Sequence, residues 1–230
     1  ILYFDMFAFQ EFFNIPVRIW GGAVENLVLV AVPCFIFMGT MLERSGVASD
    51  LLEILDVLLK RVPGGLAMSV TIMGTIMAAT TGIIGASVVM MTLMALPTML
   101  RAGYSKGLAT GTIAASATLG ILIPPSIMLV IMADLLAISV GNLFLGAILP
   151  GLLLSGLYLL YILLIANLKP SIAPRVVDDG SQVAAHGSLL KMVVKGFIPP
   201  VFLMVLVLGS IFAGWATPTE AAGVGAFGAI

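Results

Sequence analysis

Five long stretches of this 230-residue chain carry no charged side chain, and that pattern constrains the fold more than any motif does. No Asp, Glu, Lys or Arg occurs between Glu25 and Glu43, Arg61 and Arg101, Lys106 and Asp134, Asp134 and Lys169, or Lys195 and Glu220. A helix that crosses a bilayer needs about 20 mostly apolar residues, within a range of about 17–25. Charged residues total 9%, against roughly a quarter in a soluble domain. With 61% hydrophobic residues and a mean hydropathy of +1.22, a soluble fold would leave large apolar patches in water. The runs lack the period-2 alternation of a membrane barrel. The chain reads as an all-α integral membrane protein.

The first, third and fifth gaps each fit one helix. The fourth holds a helix of about Leu143 to Ala166 behind a short loop. The second gap, residues 62–100, is long enough for two segments back to back. Lys and Arg set the orientation, because loops on the cytoplasmic side collect them. If the 26–42 helix runs inward, nine of the ten basic residues lie inside and only Arg18 lies outside.

Between Arg44 and Arg61, Asp50, Glu53, Val57, Lys60 and Arg61 share one arc. Leu51, Leu52, Leu55, Leu58 and Leu59 fill the opposite side. This predicts an amphipathic helix lying in the membrane interface, ended by Pro63-Gly64-Gly65. A helix covering a partner surface would show the same stripe; either way it is a lateral arm.

Much chemistry is excluded. A net charge of −1 gives no nucleic-acid footprint. Cys34 is the lone cysteine, so there is no disulfide framework. The lone histidine, His186, lies in a polar stretch. There is no His-Glu-x-x-His helix, no pair of intramembrane aspartates, and no imidazole to activate Ser87 in Gly85-Ala86-Ser87. No catalytic group or organic cofactor is expected. Backbone and hydroxyl oxygens remain, and these suit hard cations.

Two segments offer such oxygens. The first is Ala78 to Ser87, with three hydroxyls and two glycines midway along the double segment. The chain either turns there between two full spans or forms a re-entrant hairpin at membrane depth. Irregular backbone at depth is tolerated only when protein-buried or lining a wet cavity. The second is Thr118 to Ser126, where Pro124-Pro125 removes two backbone donors and clashes with preceding carbonyls. With Gly120 upstream, this predicts an interrupted helix whose free carbonyls and helix N-terminus face a cavity. Thr217-Pro218-Thr219-Glu220 resembles an acidic site but reads as a capping box opening a further helix.

Taken in order, these elements resemble the large membrane subunit (DctM type) of the TRAP, or tripartite ATP-independent periplasmic, transporters. The matching stretches are Val32 to Gly39, Ser45 to Ala48, Pro63 to Ala67, Gly82 to Ser87, Gly120 to Ser126, Gly146 to Leu153 and Thr217 to Ala222. The resemblance implies an inverted-repeat, elevator-type permease of the bacterial inner membrane. It would import a small organic acid, such as a C4-dicarboxylate, coupled to sodium. A periplasmic binding protein would deliver the substrate, and a small membrane subunit would brace the scaffold.

The divisions expected on this basis are six. Residues 1–43 hold an N-terminal segment and scaffold helix, 44–63 the arm, and 64–134 the hairpin and broken helix. A transmembrane helix follows over 135–168, a cytoplasmic loop over 169–195, and the start of a second repeat over 196–230. Carried over by motif, the sodium site would use Thr80, Thr81, Gly82, Ser87, Gly120, Pro124 and Ser126, with Thr81, Pro125 and Ser126 toward substrate. The chain, which begins with Ile and shows no signal peptide, is expected to be a piece of a longer protein lacking the second hairpin and second sodium site. A stand-alone sodium/dicarboxylate symporter, or a scaffold or channel, are the competing classes.

Overall fold

The computed structural model describes residues 9–81, 84–174 and 189–230, and every described element is helical. In chain order these are α1 (Phe9–Ile19, extended by a π-helical turn Trp20–Val24), α2 (Leu27–Arg44), α3 (Val47–Leu59), α4 (Gly65–Thr81) and α5 (Ile84–Arg101). They continue as α6 (Lys106–Leu122), α7 (Ile127–Leu135), α8 (Val140–Leu168), α9 (Leu189–Phe212) and α10 (Pro218–Gly228). Among the described residues, α8 alone is a single straight candidate for a membrane span by length and composition. The pairs α2–α3, bent by 57°, and α6–α7, bent by 42°, qualify if each is one span.

The helices pack around two cores rather than one. The first gathers Leu51 and Leu55 of α3, Val70 and Met73 of α4, Met91 and Met99 of α5, and Ile113 of α6. The second gathers Phe35 and Met38 of α2, Val130 of α7, Phe144 of α8, Val207 of α9 and Ala221 of α10. Between them Leu119 and Ile123 pack with Leu154, Tyr158 and Met204. The α6–α7 unit therefore passes from one core into the other, and its interruption lies at the seam.

Local signals account for the helix ends. Asn26 caps α2, its Oδ1 accepting from the Val28 N–H at 2.9 Å. Its Nδ2 donates to Asp134 Oδ2 (2.7 Å), tying the start of α2 to the end of α7. Ser105 caps α6, accepting from the Leu108 N–H. Thr217 and Glu220 form the expected capping box. The Thr217 hydroxyl oxygen accepts from the Glu220 N–H, and the Glu220 carboxylate accepts from the Thr217 N–H, with Pro218 opening the helix.

Two elements differ from the sequence reading. The apolar stripe of α3 was expected against lipid, yet Val47, Ala48, Leu51, Leu52, Ile54 and Leu55 are buried within the chain itself. Leu51, Leu52 and Leu55 join the first core, and Gly196 of α9 lies against Ile54. Leu58, 69% exposed, is the part of the stripe left free. Amphipathic periodicity shows that a face is covered, not what covers it. Burial also raises the Asp56 carboxyl above its ordinary range, while the Lys60 ammonium one turn on pulls it back. The second difference is α9, which begins at Leu189 and carries Lys191 and Lys195 as helical residues, inside the stretch read as loop.

Candidate functional site

At 123–126 the chain leaves helical geometry. Ile123 is extended (φ −92°, ψ 119°), as is Ser126 (φ −122°, ψ 130°), and α7 begins immediately after. Proline carries no N–H, so Pro124 and Pro125 deprive the carbonyls of Gly120 and Ile121 of their normal helical donors. Gly120, Pro124, Pro125 and Ser126 are all buried. The oxygens of this segment therefore sit in protein rather than in water.

Ser126 is the sharpest feature. Its residue is fully buried, and its Oγ has no hydrogen-bond partner. It occupies the N-cap position of α7 without making the usual side-chain cap bond. An unsatisfied buried hydroxyl costs about 1–3 kcal/mol, so its retention calls for something that uses it. The first amides of α7 lack that side-chain cap as well, and they carry the partial positive charge of a helix start.

The interruption is braced from outside by α8. A Cβ placed on Gly151 would come within 3.0 Å of Ile123 Cγ1 and 3.3 Å of the Leu122 carbonyl oxygen. A larger residue there would have to push these neighbours back by a few tenths of an ångström. On the other side α4 and α5 form a helical hairpin against α6. A Cβ on Gly74 would meet Ser116 Cβ and Met91 Cε, each at 2.7 Å.

The sequence-derived residues divide accordingly. Gly120, Pro124, Pro125 and Ser126 are brought together in the break. Ser87 is buried at the start of α5, on the hairpin that packs against α6. Thr80 and Thr81 end α4, but their side chains, like all of Gly82, lie outside the described residues.

A ladder of hydroxyls escaped the sequence reading. Ser116 Oγ donates to the Thr112 carbonyl (2.7 Å) and lies 3.4 Å from Thr71 Oγ1. Thr75 Oγ1 bonds the Thr71 carbonyl (2.7 Å) and Ser155 Oγ (2.9 Å). These bonds join α4 to both α6 and α8. Partners so far apart in sequence form no local motif, and the only signal is a run of Ser and Thr at helical spacing. Each is also bonded, as a packing hydroxyl of a membrane bundle would be.

The arrangement offers oxygen ligands and a helix N-terminus. Among the described residues there is no cluster of three or more His, Cys, Asp or Glu to hold a transition metal. Oxygen donors of this kind are the ligands that hard cations take.

Together these features describe an all-helical chain with several apolar helices and an interrupted helix, an arrangement that secondary transporters use. Comparison with known proteins makes this specific. Residues 3–230 match the family described as "Tripartite ATP-independent periplasmic transporter, DctM component", and the chain belongs to that family. It is 35% identical over 203 residues to the C4-dicarboxylate TRAP transporter large permease protein DctM of Pseudomonas aeruginosa, covering 88% of this chain and 45% of that protein. The Vibrio cholerae protein of the same description is 34% identical over 218 residues, covering 93% and 45%. The ectoine TRAP transporter large permease protein TeaC of Halomonas elongata is 30% identical over 201 residues, covering 87% and 45%. The chain thus spans about half the length of these relatives. Proteins of this family are transporter permeases, not enzymes.

Proposed function

We propose that the full protein is the large permease of a sodium-coupled importer of a small organic acid. On this reading a periplasmic binding protein delivers the substrate, a small membrane subunit braces the scaffold, and the assembly sits in the bacterial inner membrane. The observation that carries it is the buried, unpartnered Ser126 hydroxyl at the start of α7, beside carbonyls that Pro124 and Pro125 leave without donors. Sodium would be held by these oxygens and by hydroxyls of the hairpin tip, with Ser87, Thr80, Thr81 and Gly82 contributing from that side. A substrate carboxylate would meet the α7 amides, Pro125 and Thr81.

The physical logic is coupling by order. An ion shared between hairpin and break would pin the two elements to each other, and that would raise affinity for an anion beside it. The coupling is reciprocal, so substrate must raise sodium affinity by the same factor. At 17 residues, α4 rises about 26 Å, at the lower limit for crossing a hydrocarbon core of about 30 Å, a length that a re-entrant hairpin also accommodates. The names of the relatives favour C4-dicarboxylates or similar small acids as substrates. An elevator displacement of hairpin and broken helix against α2 and α3 is the motion this architecture would use.

The test is sodium-dependent uptake by the full-length permease, reconstituted in proteoliposomes with its small subunit and binding protein. Ser126→Ala and Ser87→Ala should each raise the sodium concentration for half-maximal uptake, by about tenfold for one lost ligand of 1–2 kcal/mol. Uptake that saturates in substrate but ignores sodium in all three proteins would overturn the coupling. An unchanged sodium dependence in Ser126→Ala alone would remove Ser126 from the site.

A further inference from the structure

A concavity lies on the flank formed by α6 and α8, toward the end of α6 remote from the break at 123–126. It has a volume of about 590 Å³, within the range of small-ligand sites. Its walls are largely apolar, including Leu108, Ala115, Ile162 and Ile165, with Tyr158 and Tyr161 along one side. Gly107 and Gly111 are exposed along it, and a Cβ on either would meet nothing within 4 Å. The opening therefore faces outward, toward whatever surrounds the helices.

Its dimensions and its charge are those of one lipid leaflet. From Gly107 to Ala115 the α6 wall rises about 12 Å, close to the half-thickness of about 15 Å of a bilayer hydrocarbon core. The lower end is closed where the Ser105 N–H donates to the Ile172 carbonyl (3.0 Å) and the Ile172 N–H to that of Lys169 (3.0 Å). That clip brings Lys106 and Lys169, both exposed, to the same mouth. Neither forms an ion pair with a carboxylate among the described residues. An apolar slot of one acyl chain's depth, ending in two cations at the interface, matches an anionic phospholipid. Basic pockets between membrane helices take anionic headgroups for this reason.

We propose that the α6–α8 crevice binds an anionic phospholipid from the leaflet on the basic side of the chain. One acyl chain lies along Gly107 and Gly111 toward Tyr158, and the phosphate sits between Lys106 and Lys169. The site needs only membrane embedding and is independent of the sodium and substrate assignments.

The experiment uses the full-length permease in proteoliposomes, with phosphatidylglycerol or phosphatidylcholine carrying a photoactivatable group on one acyl chain. Cross-linked peptides are then mapped by mass spectrometry. The phosphatidylglycerol probe should label the segments containing Gly111 and Tyr158 in preference to the phosphatidylcholine probe, by about fivefold per lysine, the size expected of one basic side chain at an anionic surface. Lys106→Gln with Lys169→Gln should erase the preference while leaving the label in place. Gly111→Leu, which fills open space, should remove labelling by both probes. Equal labelling by the two lipids would overturn the proposal, as would the absence of label from these segments, which would mean that protein covers the crevice.

Discussion

The chain contains the dipeptide Pro-Pro twice, with opposite results. At Pro124-Pro125 the helix ends and another begins, whereas α9 runs from Leu189 to Phe212 straight through Pro199-Pro200. Both pairs lie where a helix passes from the first core to the second. Phe197 packs on the first core, and Leu203 and Val207 belong to the second. Position in the packing does not explain the difference. Depth does. Pro199 follows Lys195 by four residues, about 6 Å along a helix, so the carbonyl it leaves without a donor lies beside a charged residue, at the start of the apolar run. Pro124 and Pro125 are buried, and the nearest charged residue, Asp134, lies about 13 Å beyond. There a continuous helix would bury two orphaned carbonyls with no water to relieve them, each costing about 1–3 kcal/mol. Opening the helix frees those oxygens from the helical ladder. A proline pair is thus a permission to break, which distance from a charged end converts into a break.

The largest effect should come from removing that permission. Replacing Pro124 and Pro125 together by Ala restores two donors and removes a bias against helix of about 3 kcal/mol at each position. The α6 and α7 segments should then join. In a Cys34→Ala background, spin labels at the exposed positions 118 and 128 should move to the spacing of one continuous helix, about 15 Å of rise. Uptake by the full-length protein should fall at least tenfold, a loss of about 1.4 kcal/mol or more in transition-state terms. Wild-type uptake with an unchanged label distance would show that the prolines do not hold the break.

How much of this was legible in the sequence follows from the same physics. Charge-free runs marked the apolar helices, because a charge at depth is costly wherever the chain goes. The break at 123–126 and the cap at Thr217 to Glu220 were readable because proline and capping chemistry are local. What covers α3 was not readable, since Leu51 and Leu55 meet Val70 and Met73 only after the chain turns back on itself. Charge also misplaced the start of α9. Lys191 and Lys195 by themselves suggest a loop, but a helix projecting past the interface carries lysines without penalty. The Thr71–Ser116 and Thr75–Ser155 bonds were invisible for the reason the second core was: they are products of tertiary packing. The Ser126 hydroxyl could be proposed from sequence, but its isolation could not.

A smaller effect should follow from disturbing the brace without touching the prolines. Gly151→Leu drives side-chain atoms into Ile123 and the Leu122 carbonyl, an overpacking that costs about 1–3 kcal/mol. The melting temperature of the full-length protein in detergent should drop by several degrees. Gly156→Leu is the matched comparison, because a Cβ there meets nothing within 4 Å and the residue is exposed. Equal melting temperatures for the two variants would mean that α8 does not hold the break in place.

The smallest effect is expected where the comparison began. Replacing Pro199 and Pro200 by Ala also restores two donors, but to a helix that is already continuous. Its freed carbonyls belong to Lys195, at the charged start of the helix, and to Gly196, which is buried against Ile54 and Asp50 of α3. The substitution removes ring clashes and gains two amide bonds near that charged end, so the melting temperature should hold or rise. Uptake should stay within about twofold of wild type, under about 0.5 kcal/mol. If this variant instead lost transport as completely as the Pro124/Pro125 variant, depth would not be what separates the pairs. The α9 prolines would then act as a hinge in their own right, and the break at 123–126 would need a cause specific to Gly120 and Ser126.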